Sequence, residues 1–312
     1  FLSGDADPAA SPAARYGDIK FEVPPNEMPE FSDQYTWRDF TDTHLWEQLP
    51  HEFILETSGY SKNQNTFLKL ARNVTLDFLR SLPVSAFTPT AGEVYERILF
   101  NIAGILPTGK TITDKEGHIK TLSMKRMWKS CKMNYSGSIM NKAEWQFFRL
   151  RPKNFPTVRI AGTSLIIEGI ISGHLFKALI KTIQDEEIDI ATRIEKLRSL
   201  LLVKAAGFWE NHYRFEDKTS DTIITFVGKG RADEILINVL IPVCLLYARV
   251  FKKKEVRKNA LSLFESIKSK KRNTILNVVE EQLVRKKVKL DSASFYQGAI
   301  QLYKYYCNDE RC

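Results

Sequence analysis

The stretch TAGEVYERILFNIAGILPTGKT, Thr90 to Thr111, can be read in two incompatible ways. Its last eight residues, Gly104 to Thr111, satisfy G-x-x-x-x-G-K-[ST], the phosphate loop that joins a buried strand to a helix and wraps backbone N–H groups around phosphates. That reading makes the chain a nucleotide-binding α/β enzyme. The preceding residues argue otherwise. Val94, Ile98, Leu99, Ile102 and Leu106 recur at helical spacing, and Thr90 with Glu93 has the spacing of a capping box. A helix therefore feeds the loop, and Gly104 falls where glycine ends helices. After Thr111, the polar ITDKEGHIK with Gly117 inside it does not read as an amphipathic helix. Both flanks speak against phosphate cradling, so we read a helix, its C-cap and a turn, and set the ATPase reading aside.

Working outward, helical spacing begins near Asn63. NTFLKLARNVTLDFLRSL places Phe67, Leu70, Val74, Phe78 and Leu82 on one stripe that Pro83 ends. Further helices are predicted at Thr121–Met133, Thr157–Ser172, His174–Gln184, Ala191 to about Tyr213, Ala232–Phe251, Lys254–Ser269, Asn273–Lys287 and Ser292–Tyr306. TIITFVG, Thr222–Gly228, reads as a short strand, and no internal repeat is visible. Residues 1–50 are rich in Pro, Asp and Glu, with one strand-like run at Tyr16–Val23. They read as an extended arm or the remnant of another domain. The expected class is mainly α: a multi-helical globular domain over 51–312, with an extended N-terminal arm and at most a minor β element.

Composition fits a soluble globular chain, with 312 residues, 43% hydrophobic and 27% charged. The longest apolar run, Ile235–Val250, contains Asn238 and Pro242 and reads as a buried helix, so no membrane partner is expected. FLSGDADPAASPAARYG lacks the basic start and apolar stretch of a secretory signal. Cysteines at 131, 244, 307 and 312 are too few and scattered for a disulfide framework, and a reducing cytoplasm is the expected compartment.

The net charge of +9 is localised. Between Lys252 and Lys289 there are thirteen Lys and Arg against four Glu, which leaves 33 basic and 33 acidic residues elsewhere. Lys252, Lys253, Lys254, Arg257, Lys270, Lys271, Arg272, Arg285, Lys286 and Lys287 are the candidate phosphate contacts for DNA or RNA. The competing reading puts these cations at helix ends, where they complement the dipole and keep the surface soluble. Both readings stay open at this point.

RLRPKNFPTVR gathers Arg149, Arg151, Lys153 and Arg159 around Pro152, Pro156 and Phe155, with Asn154 near a helix start. Arg149, Arg151, Asn154 and Arg159 are thus an anion-site candidate, against the alternative that the arginines pair with buried carboxylates to fix the loop. In WENHYRF, Trp209, His212 and Tyr213 are read as one turn apart on a helix. A lone His beside aromatics reads as a packing residue, and no catalytic residue is assigned. Asn238 is read as a buried amide near Pro242, and Gln297 and Gln301 as ligand readers or interhelical bonds.

FRLRPKNFPTVRIAG from Phe148, FWENHYRF, ADEILINVLIPVCLLYA and DSASFYQGAIQLYKYYCNDERC, in that order and spacing, resemble the bacterial family filed as domain of unknown function 2851. The likeness covers about residues 60–312, and YERILFNIAGIL is similar to a conserved region of that family. The resemblance implies no activity. Family members carry N-terminal motifs suggestive of a restriction-endonuclease-like metal site, for which GDIKFEV is at most a degenerate counterpart. Asp7, Asp18 and Lys20 mimic its carboxylates and lysine, and Glu22 stands where the family has His. The family's C-terminal cysteine cluster is represented by Cys307 and Cys312, two thiolates short of a structural zinc site, so no cofactor is expected unless further cysteines complete it. The leading expectation is a non-catalytic nucleic-acid-associated domain. The alternatives are a degenerate or partial nuclease-family member and a protein–protein scaffold.

Overall fold

Caps and glycines set the helix boundaries in the computed structural model, which describes residues 37–42, 44–83, 90–173, 175–219, 222–268, 277, 279, 281 and 292–303. The helices are α1 (Leu45–Ser58), α2 (Tyr60–Asn73), α3 (Leu76–Arg80), α4 (Ala91–Ile102), α5 (Lys115–Cys131), α6 (Pro156–Gly173), α7 (Leu175–Gln184) and α8 (Ile190–Ser199). Two short strands follow, β1 (Val203–Lys204) and β2 (Thr225–Val227). Then come α9 (Lys229–Ile235), a π-helical turn (Leu236–Leu240), α10 (Ile241–Val250), α11 (Lys254–Ser266) and α12 (Ala293–Leu302). The class is mainly α, and its β content among the described residues is the antiparallel pair β1–β2 and one bridge, Lys268 with Ser292.

α6 is the central element. Val158, Ile160, Ala161, Ser164, Ile167 and Ile170 are buried around its whole circumference, as expected of a helix packed on all sides. It lies against α4, α1, α7 and the β pair. The hydroxyls of Thr163 and Ser164 bond back to the helix carbonyls of Arg159 and Ala161, so their burial leaves no donor orphaned. On the other side Trp46 of α1 stacks on Phe176 of α7 and meets Tyr247 of α10 edge-on, while its indole N–H donates to the Phe40 carbonyl. Phe40, Leu45, Trp46 and Leu49 are buried in the same core. The helical body thus takes in Trp37–Pro50, and of the stretch read as an arm only residues 1–36 and Thr43 lie outside the described residues.

Four helix expectations need correction. The stripe from Phe67 to Leu82 is two helices, because Val74 leaves helical geometry and Thr75 caps α3 by accepting from the Phe78 N–H. α5 starts at Lys115 rather than Thr121, with Asp114 as its N-cap. The helix read from Ala191 to Tyr213 stops at Ser199. Leu197, Leu201, Ala205 and Trp209 are all buried and spaced by four, but beyond Ser199 the burial is delivered by β1 and a 3-10 turn at Gly207–Glu210, with Gly207 at φ +59°. Ala232–Phe251 is continuous only through the π turn. Pro242 has no N–H to give the Asn238 carbonyl, and the ladder lengthens by one residue, with Ile241 N–H donating to Leu236. Asn238 does not serve that backbone with its side chain; its carboxamide oxygen accepts from Gln297 of α12. Of the helix expected at Asn273–Lys287 only 277, 279 and 281 are described, all three in helical conformation, and the strand at Tyr16–Val23 falls outside the described residues.

Candidate functional site

The phosphate-loop match sits in a setting that holds no phosphate. Gly104 follows α4 with φ +66°, and a side chain there would collide with the Met140 carbonyl. The last carbonyls of α4 are covered by other donors: Met140 N–H bonds to Ile102 O at 2.8 Å and the Trp145 indole N–H to Ala103 O at 2.7 Å. Gly109–Thr111 form an exposed 3-10 turn. The downstream flank does lead into a helix, contrary to the sequence reading. The upstream helix in place of a strand is what rules the motif out.

Of the four anion candidates in the Arg149–Arg159 loop, two are engaged inside the fold. Arg159 donates to Asn154 Oδ1 and to the Tyr60 hydroxyl, both at 2.6 Å, and to Phe226 O. Its guanidinium lies 4.8 Å from the Tyr60 ring centre, and Arg231 takes the same ring at 4.3 Å. Burial pushes both arginines below the usual guanidinium range. Arg149 and Arg151 are exposed and form no ion pair with a carboxylate among the described residues; Arg149 lies 5.1 Å over the exposed Phe148 ring and has φ +55°. Lys62 braces this turn by donating to the Phe148 carbonyl.

Lys252 and Lys253 connect α10 to α11, Lys254 and Arg257 belong to the first turn of α11, and all four are exposed. Lys252 is the residue after the C-cap of α10, at φ +53°. Lys253 is the N-cap of α11, with no side-chain cap, and Lys254 is its first residue. These cations therefore stand at the positive end of α11, where the dipole opposes them. Complementation of a helix C-terminus applies to α10 alone. Lys270, Lys271, Arg272, Arg285, Lys286 and Lys287 lie outside the described residues, as do Asp7, Asp18, Lys20, Glu22, Cys307 and Cys312. Cys131 and Cys244 are buried free thiols, and burial raises both above the ordinary range. A cavity of about 570 Å³ opens between α8, α9 and the end of α11, but its charges compensate one another: Arg198 pairs with Asp233 and Lys229 with Glu195.

A constellation that the sequence did not announce joins the start of α5 to the segment after β1. Asp114 Oδ2 caps α5 by accepting from Gly117 N–H at 2.6 Å and lies 3.2 Å from His212 Nε2. Glu116 completes a group whose ligand atoms all fall within 4.8 Å of one another. His212 is fully buried, stacked on Phe208 with ring centres 3.9 Å apart, and its Nδ1 donates to Phe208 O at 2.7 Å. The Gly117 bond, followed by the hydrogen bond from His212, holds the Asp114 carboxyl below the usual carboxylate range. The two segments meet because Thr113 and Asp114 N–H groups both donate to Glu216 O, and because Gly117 has no side chain to strike the Phe215 carbonyl. His212 is thus a packing residue, but it sits in a turn rather than on the helical face first read for it.

The family described as Protein of unknown function (DUF2851) matches residues 38–273. The chain belongs to that family. The DUF2851 match takes in the Asp114 cluster, the Phe148–Arg159 loop and the Lys252–Arg257 turn, and begins well before residue 60, in keeping with the packing of Trp46 into the core. No curated protein and no solved structure matches the chain. Among the described residues no single helix is long and apolar enough to cross a membrane.

Proposed function

We propose that this DUF2851 domain associates with nucleic acid, holding phosphates at the Lys252–Arg257 turn and seating a base or backbone segment on the Phe148–Lys153 turn. The supporting observation is that Lys252, Lys253 and Lys254 are consecutive, exposed and without a carboxylate partner among the described residues, at the N-terminus of a thirteen-residue helix. A helix N-terminus with added lysines attracts anions through both its dipole and its charge. The exposed Phe148, flanked by Arg149 and Arg151, offers the aromatic face and cations that single strands use. Backbone strain points the same way: Arg149 and Lys252 are two of the three non-glycine residues with positive φ among the described residues, and such conformations gather at functional turns.

Fluorescence anisotropy with labelled single- and double-stranded DNA and RNA tests the reading. We expect binding at low salt that weakens when Lys252, Lys253 and Lys254 are all changed to Glu, and that shifts toward single strands through Phe148, so that Phe148→Ala weakens the single-stranded probe more than the duplex. No binding at low salt overturns the reading and leaves the protein–protein scaffold in its place.

A further inference from the structure

We propose that Asp114, Glu116 and His212 form a binding site for a divalent transition metal of the zinc or manganese type, tying the first turn of α5 to the 208–218 segment. The argument begins with the imidazole. His212 Nδ1 donates its N–H to the Phe208 carbonyl, which can only accept. Nε2 faces Asp114 Oδ2 at 3.2 Å, a pair that a proton on Nε2 holds as an ion pair and that a metal ion displacing that proton would take as two ligands. A zinc ion with bonds of about 2.0–2.1 Å in tetrahedral geometry spaces its ligand atoms by about 3.3 Å; His212 Nε2 and Asp114 Oδ2 are 3.2 Å apart, and the Glu116 oxygen lies within 4.8 Å of both.

The surroundings are those of a metal-binding histidine. Its second nitrogen is fixed by a backbone carbonyl, which selects the tautomer and directs Nε2 outward. The ring is clamped by its stack on Phe208 and has no freedom to turn away. Glu116, the second residue of α5, supplies a second carboxylate and is exposed, so an ion has a route in. One imidazole and two carboxylates suit borderline and hard divalent ions, and leave a fourth position to water. The cation now nearest Glu116 is Lys218, at 3.0 Å, on an exposed side chain that can swing away. This site involves none of the residues proposed for nucleic acid, and its test uses none.

The test is zinc binding to chelator-stripped full chain, read by competition with a chromophoric chelator. It is run in a Cys307→Ser, Cys312→Ser background so that thiolates do not compete. We expect one zinc per chain, with the affinity falling at least about 10-fold in Glu116→Gln and in Asp114→Asn. Asn retains the helix cap and Gln sits on an exposed position, so both variants should keep the far-ultraviolet dichroism of the parent. Cobalt in place of zinc should give the visible d–d bands of a low-coordinate site, absent from both variants. Failure of the parent to bind zinc overturns the proposal and leaves the His212–Asp114 contact as an ordinary hydrogen bond. Binding that is unchanged in Glu116→Gln and Asp114→Asn overturns it equally.

Discussion

At the scale of the residue, Lys252 occupies a position that usually belongs to glycine. The α10 terminus is a Schellman motif, with Lys253 N–H donating to Ala248 O at 2.8 Å and Lys252 N–H to Arg249 O at 3.2 Å, and Lys252 takes the left-handed conformation that closes it. A lysine there costs roughly 1–2 kcal/mol in steric strain. Lys252→Gly should therefore raise stability by about 0.5–1 kcal/mol in urea denaturation, the relief being partly offset by the freer unfolded chain. The same variant should bind nucleic acid more weakly. A variant both less stable and equally tight would argue that the lysine is retained for packing.

His51 provides a second test at this scale. It is fully buried, with Nε2 donating to the Val74 carbonyl at 2.8 Å, and burial pushes its pKa below the ordinary 6.5. The folded protein keeps it neutral while the unfolded chain takes up a proton near 6.5. Its contribution is intact above that pH and is lost as pH falls, with a slope of up to about 1.4 kcal/mol per pH unit. Urea midpoints of the parent and His51→Gln between pH 7 and 5 check this, the variant giving the flatter profile; parallel profiles would mean that the folded imidazole takes up its proton as readily as the unfolded one.

At the scale of the element, glycine decides which contacts form, and it also marks where sequence reading fell short. Gly104 was legible as a C-cap, because its place after an amphipathic stripe has one common meaning. Gly117 was read as part of a polar stretch that is not an amphipathic helix, yet it lies within the first turn of α5 with the Phe215 carbonyl where a Cβ would be. Nothing local distinguishes a glycine that ends a helix from one that admits a neighbour, since the neighbour is about a hundred residues away. The same long range hid His212 from Asp114. Leu197, Leu201, Ala205 and Trp209 misled for the opposite reason: all four are buried, so the periodicity was genuine while the backbone beyond Ser199 was no longer an α-helix. Gly117→Ala separates the roles. In an open helix the change stabilises by about 0.5–1 kcal/mol. Here the added methyl would lie 1.9 Å from the carbonyl, and thermal denaturation should show a loss of about 1–3 kcal/mol. A more stable variant would contradict the docking of the 208–218 segment on α5.

At the scale of the whole molecule, the mainly helical class and the presence of a helix at α6 were readable because apolar residues recur at the helical period over long stretches, whereas the burial of α6 around its circumference was not read from the sequence. The charge map was readable too, since counting needs no structure. Its meaning was not, because a lysine at a helix C-terminus and one at an N-terminus look alike in sequence. Lys252 and Lys253 follow the end of α10, whose dipole favours them, whereas Lys253 and Lys254 open α11, whose dipole opposes them, so the helix-end explanation covers only part of that turn. Each phosphate neutralised releases condensed counterions, so affinity falls with salt at a slope that counts the contacts. The deciding measurement is that slope, taken from anisotropy titrations over a range of salt for the parent and for Lys252→Glu, Lys253→Glu, Lys254→Glu combined. We expect the parent's slope to be steeper than the variant's by about 3, one for each lysine. Equal slopes would contradict the account, because the Lys252–Lys254 turn would then carry no phosphate at all.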